Sequence, residues 1–169
     1  MKKLTAILLL AALCAALCLP VLAETETPPQ FSTTKSFIAE LEEEELAYTF
    51  HGVDEEGDEH VTMDNEDENF AYTINLYFDG NEELATIFIW NIIAFEDADF
   101  AHVLRAVNSL NYSYKYTRFY VDESDNTVTC TMNLILHDED DAGDIVLEGL
   151  LRAASILKKA YPQLAPYKR

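Results

Sequence analysis

The stretch Phe100-Ala-His-Val-Leu-Arg-Ala-Val107 begins the segment, residues 100–136, that decides the fold of this chain. Its apolar residues recur at helical spacing and predict a short amphipathic helix. Asn108 and Asn111 are predicted to close this helix, because asparagine tolerates the left-handed conformation that is common at a helix end.

An aromatic strand and its partner are predicted to follow this helix. Residues 112–121, Tyr-Ser-Tyr-Lys-Tyr-Thr-Arg-Phe-Tyr-Val, are rich in side chains that favour strands. A polar turn at residues 122–126 then predicts a reversal into a second strand, residues 127–136. Cys130 lies on the apolar side of that second strand and is predicted to be a small buried hydrophobe.

The residues before this segment predict one helix and an antiparallel meander. In chain order the predicted elements are a helix at 35–46 and strands at 47–53, 60–63, 70–78 and 84–95. The strand at 60–63 lies between two predicted acidic loops, residues 54–59 and 64–68. Asp79-Gly80-Asn81 is a strong hairpin signal between the last two strands.

A final helix is predicted at residues 144–161. Lys158 and Lys159 complement the dipole at its C-terminal end, and Pro162 is predicted to stop it. The predicted order is therefore α-β-β-β-β-α-β-β-α. Strands joined by short turns and flanked by helices are typical of an α+β domain, in which the helices pack on one face of an antiparallel sheet.

The first residues predict an export signal. Lys2 and Lys3 precede an apolar run, and Val21-Leu22-Ala23 offers the small residues expected where signal peptidase cuts. Cleavage after Ala23 makes residues 1–23 a signal peptide. The rest divides into a flexible linker at 24–33, a domain at 34–164 and a tail at 165–169. The chain is thus predicted to be secreted or held in the cell envelope, with no membrane contact after signal removal.

The charge of the chain excludes several classes of partner. It has 31 acidic and 11 basic residues, a formal net charge of −20 at pH 7. Nucleic acids and anionic membrane surfaces both need clustered Lys and Arg, so neither is a predicted partner. The acidity favours solubility or a cationic partner. Cys130 is the one cysteine outside the predicted signal, so no intramolecular disulfide is expected.

The residue pattern predicts no enzyme, no cofactor and no preorganised metal site. Residues 138–144 resemble a calcium loop, but Ala142 and Gly149 stand where ligands belong. The four histidines lack the spacing of zinc ligands. Clustered carboxylates suit a hard cation, so weak calcium binding at acidic loops such as 54–59 is the alternative function.

The chain carries more aromatic side chains than its core requires. Four tyrosines of the strand predicted at 112–121 are expected to share one face, and Phe88 and Trp90 are expected to share another. Tyr and Trp are enriched where proteins meet partners, although a half-exposed sheet face explains the pattern equally well. The predicted interface residues are Trp90, Tyr112, Tyr114, Tyr116 and Tyr120.

Residues 34–164 resemble the YbjN-like domains. The stretches that carry the resemblance are Val107-Asn108-Ser-Leu-Asn111, Tyr116-Thr-Arg-Phe-Tyr-Val-Asp122, Val128-Thr-Cys-Thr-Met132 and Ala142-Gly-Asp-Ile-Val-Leu-Glu148. The resemblance implies an α+β domain that is similar in fold to type III secretion chaperones, is often dimeric and works by binding. Such proteins are described loosely as sensory-transduction regulators. This chain departs from them in its export signal and its more acidic surface.

Together these observations predict a secreted, non-enzymatic YbjN-like binding domain. Its aromatic sheet face is expected to mediate self-association as a homodimer or the binding of a protein or peptide. The sequence does not identify that partner.

Overall fold

The computed structural model describes residues 28–67, 70–136 and 141–169. In chain order, its helices and strands are α1 (Ser32–Glu43), β1 (Thr49–Val53), β2 (Glu59–Asp67), β3 (Phe70–Phe78), β4 (Leu84–Ala94), α2 (Phe100–Ser113), β5 (Arg118–Asp122), β6 (Thr127–Ile135) and α3 (Ala142–Leu164). Short 3₁₀ turns, Asp97–Asp99 and Ala165–Tyr167, lie directly before α2 and directly after α3. None of the helices in these ranges is both long and apolar enough to cross a bilayer. The predicted signal peptide lies outside these ranges.

The strands form one antiparallel sheet in the order β1-β2-β3-β4-β6-β5. Strands β1 to β4 are neighbours both in sequence and in the sheet, and β6 then pairs with β4 along its length. The pairing runs from Leu84 opposite Ile135 to Ala94 opposite Thr127. The α+β class, the antiparallel sheet and the predicted order of helices and strands are confirmed.

One face of the sheet packs against the helices and forms the core. Side chains at alternate strand positions, such as Phe78 and Cys130, are buried there. Helix α1 contributes Phe37, whose ring centroid lies 5.6 Å from that of Phe78. Helix α3 contributes Tyr161, which stacks on Phe70 at 3.9 Å. Removal of this apolar surface from water, at about 25 cal/mol per Å², is the main stabilising term of the fold.

Helix α2 is longer than the sequence predicts, and the strand after it is shorter. The helix continues to Ser113, past both asparagines predicted to close it, because Val107 and Leu110 extend its buried stripe. The strand predicted at residues 112–121 is therefore wrong over its first half, and β5 begins only at Arg118.

Asn111 ties α2 to the edge of the sheet. Its side-chain nitrogen donates a hydrogen bond of 2.9 Å to the carbonyl oxygen of Phe119, and its side-chain oxygen accepts one of 2.8 Å from the Phe119 N–H. Phe119 lies on the edge strand β5, so the amide of Asn111 takes the place of a neighbouring strand. Asn111 therefore holds the sheet edge, whereas the sequence assigns it to the helix end.

Helix α3 also extends past its predicted ends. Pro162 lies within its last turn and does not stop the helix. Proline removes one backbone hydrogen bond there, but the burial of Tyr161 and Leu164 on either side favours continuation of the helix. At the other end, Gly143 allows α3 to approach α1 closely. A Cβ atom at Gly143 would lie 2.6 Å from the carbonyl oxygen of Ser36, and the Gly143 N–H donates a 3.0 Å hydrogen bond to the Ser36 hydroxyl oxygen.

Strand β2 extends to Asp67, so the acidic loop predicted at residues 64–68 is wrong for most of its length. Asp64 lies opposite Thr73 in the ladder with β3, and the hydroxyl of Thr73 donates a 2.6 Å hydrogen bond to its carboxylate. Pairing with the well-patterned strand β3 thus overrides the low strand propensity of the acidic residues.

The turn between β3 and β4 confirms the predicted hairpin and also caps α1. Glu82 accepts hydrogen bonds from the hydroxyl of Ser32 and, at 2.9 Å, from the N–H of Thr33. The first N–H groups of a helix lack partners within the helix, and a carboxylate is favoured there. Burial alone would raise the pKa of Glu82, but the hydrogen bonds from Ser32 and Thr33 outweigh burial and lower it.

Replacing Asn111 by Ala is expected to destabilise the protein by about 1–3 kcal/mol, because both backbone groups of Phe119 lose their partner. Asn108→Ala is the matched control, since Asn108 is exposed on the same helix and its side chain makes no hydrogen bond to the described residues. Urea unfolding of both variants measures the difference. Equal stability of the two variants would contradict the anchoring role of Asn111.

Replacing Glu82 by Gln is expected to lower stability at pH 7 and to make no difference in strong acid. The pKa of Glu82 is lower in the folded state, so its stabilisation is present above about pH 4.5 and is lost as pH falls through the folded-state value. Denaturation from pH 7 to about pH 3 measures this effect, with the exposed neighbour Glu83→Gln as control. A stability gap that stays constant with pH would show that the charge of Glu82 is not responsible.

Candidate functional site

The face of the sheet opposite the core is covered by none of the described helices, and we call it the open face. Strand register places rings from neighbouring strands side by side on it, with His60 opposite Tyr77 on β3. Trp90 on β4 is 41% exposed and Tyr120 on β5 is 36% exposed. The open face is therefore an aromatic surface in contact with solvent.

Five rings on the open face form a continuous row across four strands, here called the ring ladder: His51, His60, Tyr77, Phe88 and Trp90. His51 stacks on His60 with centroids 4.6 Å apart, and His60 stacks on Tyr77 at 4.3 Å. Tyr77 meets Phe88 edge-on at 6.0 Å, and Phe88 stacks on Trp90 at 5.6 Å. Stacked and edge-to-face geometries are the favourable ones for rings.

Hydrogen bonds fix the two imidazoles of the ladder. His60 Nε2 lies 3.2 Å from Asn75 Oδ1, and His51 Nε2 lies 2.8 Å from Thr62 Oγ1. Asn75 is only 6% exposed, so His60 is held by a buried amide. A ladder fixed in this way loses little side-chain entropy when a partner binds.

An irregularity in β4 lies beside Trp90. The pairing of β4 with β6 shifts between Ile89 and Ile93, and Asn91 has a φ of 54°, in the left-handed region. A bulge of this kind bends a strand and redirects the side chains beside it. Trp90 and Asn91 are both exposed, whereas their neighbours Ile89 and Ile92 are buried.

The environment of the ladder shifts two pKa values. Burial is the main cause that lowers the pKa of His60, and the neighbouring His51 lowers it further. Burial also raises the pKa of Tyr77, and the negative charges of Asp54 and Glu56 add to that effect. At neutral pH the imidazole of His60 is therefore uncharged and the phenol of Tyr77 is protonated.

Carboxylates of two neighbouring turns form an acidic cluster near Tyr77, and we call it the acidic rim: Asp54, Glu56, Asp58 and Asp79. Asp54 Oδ1 organises this turn by accepting hydrogen bonds of 3.0 Å from the Glu56 N–H and 2.9 Å from the Asp58 N–H. Burial raises the pKa of Asp58, and the charges of Asp54 and Asp79 raise it further. This crowding of like charges produces a negative potential beside the rings.

The interface residues predicted from the sequence divide between two surfaces. Trp90 and Tyr120 lie on the open face. Tyr112 is 91% exposed within α2, Tyr114 follows that helix and is partly buried, and Tyr116 is 66% exposed. The expectation that four tyrosines share one strand face is wrong, because three of them precede β5.

Tyr116 already contacts a cation from its own chain. The guanidinium carbon of Arg152 on α3 lies 4.7 Å from the centroid of the Tyr116 ring, and Glu148 forms an ion pair with Arg152 one turn away. This cluster lies apart from the ring ladder. The structure thus offers two aromatic surfaces, of which only the open face carries a row of rings.

The described residues bring together no group of three or more His, Cys, Asp or Glu side chains that could hold a metal ion. The acidic segment at residues 64–67, one of the candidate calcium loops, is part of β2. His137 and the first part of the calcium-like loop, residues 138–140, lie outside the described residues.

The thiol of Cys130 is not suited to nucleophilic chemistry. Cys130 is 1% exposed, and burial raises the pKa of its thiol to about 12. Almost none of it is thiolate at neutral pH, and the thiolate is the reactive form. The prediction that Cys130 is a small buried hydrophobe is confirmed.

Of the five ladder residues, the sequence predicts only Trp90 as an interface residue and misses His51, His60, Tyr77 and Phe88. The spacing of these two histidines bears only on metal binding, and alternation in β3 places Tyr77 on the less apolar side of its strand. The hairpin at Asp79 offered a usable signal, because counting back from the turn sets Tyr77 opposite Thr86. The bulge in β1 between Phe50 and Gly52 hid the position of His51.

Known proteins provide an independent comparison. A model of the YbjN family, described as "Putative bacterial sensory transduction regulator", matches residues 38–164. A chain in the solved structure titled "Structure of the HopA1-SchA Chaperone-Effector Complex" is similar, with a TM-score of 0.44 and 11% identity over 78% of this chain and 99% of that chain. No curated protein matches the sequence.

The imidazole of His60 is expected to titrate below its ordinary pKa of 6.5 in an NMR pH titration. The unfolded chain then binds the proton more readily than the folded one, so stability falls as pH drops from about 7.5 to about 5.5. His60→Gln should remove this part of the pH dependence, whereas His102→Gln, at an exposed site outside the ladder, is the control. A midpoint at or above 6.5 for His60 would contradict the assignment.

Proposed function

Because the chain belongs to the YbjN family, with residues 38–164 matched, we propose that it is a non-catalytic regulatory domain that binds a protein partner through the open face. The observation that carries this proposal is the ring ladder, which ends at the exposed Trp90. Regulation by a domain without catalytic residues requires a binding surface, and the ladder is the surface best built for that purpose.

The chemistry of the open face supports protein binding. Trp and Tyr are the side chains most enriched at the energetic centres of interfaces, and Trp90 and Tyr120 are both exposed there. Rings that already stack on one another are preorganised, so a partner gains contact area without ordering them. The partly buried rings of Phe88 and Tyr77 lie beside Trp90, with centroids 5.6 Å and 6.1 Å from that of Trp90, and would help to exclude water from the contact.

A non-catalytic role is supported by the state of Cys130, the free cysteine of the described residues. Cys130 is buried with its thiol protonated, and it lies on the core side of β6, facing away from the ring ladder. The histidines of the ladder stack on rings and bond to Asn75 and Thr62, so they are engaged in building the surface.

We place the working protein outside the cytoplasm, and this part of the proposal rests on the sequence. The lysines at positions 2 and 3, the apolar run and Ala23 form an export signal. The acidic composition suits a soluble protein in that compartment. The proposed partner is therefore another exported protein or the exposed part of an envelope protein.

The test is capture of a partner by the tagged mature chain from the envelope and culture fluid of the secreting cell. Changing Trp90 to Ala together with Tyr120 to Ser should weaken binding by ~2 kcal/mol or more, which is about 30-fold. The matched control is Tyr112→Ser with Tyr116→Ser, which removes two exposed rings from outside the open face. Circular dichroism and thermal unfolding verify that both double variants are folded.

The outcomes separate the two aromatic surfaces. Binding that is lost in the open-face variant and kept in the control supports the proposal. The opposite pattern would move the binding site to the surface formed by α2 and α3. Binding that survives in both folded variants would overturn a role for either surface.

A further inference from the structure

We propose that the segment seated on the ring ladder is basic, and that it places Lys or Arg side chains between the rings and the acidic rim. This inference rests on the proposed function and specifies the chemistry of the partner. It is drawn from the position of the charges around the open face.

The acidic rim lies next to the rings, because the turn that carries Asp54 and Glu56 directly follows β1, where Gly52 pairs with His60. His60 in turn pairs with Tyr77. The charge of Asp54 raises the pKa of Tyr77 and opposes the lowering of the pKa of His60, and Glu56 also acts on Tyr77. A cation above these rings would therefore lie within the attractive field of several carboxylates. A carboxylate of a partner placed there would meet the same field as repulsion.

The ladder also presents aromatic faces to a cation. The face of an aromatic ring attracts a cation within about 6 Å of its centroid. The chain uses this contact itself, since Arg152 lies 4.7 Å from the centroid of the Tyr116 ring. The rings of Tyr77 and Trp90 have no such partner among the described residues. The open face thus combines an unused cation–π surface with a negative border.

A second copy of the chain fits this surface poorly. A two-fold interface pairs a patch with itself, so the acidic rim of one copy would be brought close to that of the other. The chain has a formal net charge of −20 at pH 7, which adds general repulsion between copies. A separate, basic segment would neutralise the carboxylates of the acidic rim, whereas a second copy would add more negative charge beside them.

The single tryptophan of the chain makes the test direct, because Trp90 lies on the ladder and its emission reports what binds there. The probes are short peptides of equal length that contain Ala and Gly with Arg, with Gln or with Glu. The protein is the folded mature chain. The Arg peptide should change the emission of Trp90 and bind at least about 10-fold more tightly than the Gln peptide, and the Glu peptide should bind least.

Salt and rim variants show whether charge is responsible. Raising the salt concentration from about 0.05 M to about 0.5 M should weaken binding of the Arg peptide about 10-fold, because screening removes the attraction of exposed charges. Asp54→Asn with Glu56→Gln should cause a similar loss. Glu43→Gln with Glu44→Gln, at exposed positions at the end of α1, makes the same change of net charge and should leave binding unaltered.

Equal binding of the Arg and Gln peptides, or no response to the Arg peptide, would overturn the inference. So would a captured partner that depends on Trp90 but binds independently of salt and of the rim variants. That result would leave the proposed function standing, whereas loss of dependence on Trp90 itself would defeat both. An Arg-specific response that follows salt and the acidic rim supports both proposals.

Discussion

The pairing of β4 with β6 is the interaction on which the rest of the structure depends. It joins the meander β1 to β4 to the unit built from α2, β5 and β6, over a register from Leu84–Ile135 to Ala94–Thr127. The two strands are separated in sequence by α2 and β5, so their pairing must overcome the entropy cost of closing that loop. The burial of a continuous apolar face compensates for this cost, and Ile87, Ile89 and Met132 are buried on it.

Covering one face of this sheet leaves the other face for a different use. Helices α1, α2 and α3 all contribute to the single core, and none of them reaches the open face in the described part of the chain. Rings on that face bury part of their apolar surface by stacking on one another. The bulge at Asn91 keeps Trp90 exposed at the end of this row. The open face is therefore a stable surface whose exposed rings are available to a partner.

The pattern of correct and wrong predictions follows the range of the interactions involved. The hairpin at Asp79 and the alternation of β3 are local features, and the sequence predicts them correctly because they follow from turn chemistry and a period of two residues. The prediction of a strand directly after Asn111 is wrong, because the strand propensity of the aromatic run is outweighed by the buried stripe that extends α2 to Ser113. The ring ladder depends on the combined register of four strands and on the bulge in β1, which the residue pattern of a single strand does not determine.

The order of helices and strands, the antiparallel α+β class, the burial of Cys130 and the strongly acidic character can all be predicted from the sequence. Each of these follows from composition or from short-range periodicity. Which rings meet depends on the packing of the folded chain, since only pairing across four strands places His51, His60 and Tyr77 beside Phe88 and Trp90. Asn111, which the sequence predicts to end α2, instead forms hydrogen bonds with the edge strand β5. The physical reason is the same in both cases. Contacts between distant segments depend on the register and packing of the whole sheet, and a short stretch of sequence does not determine these.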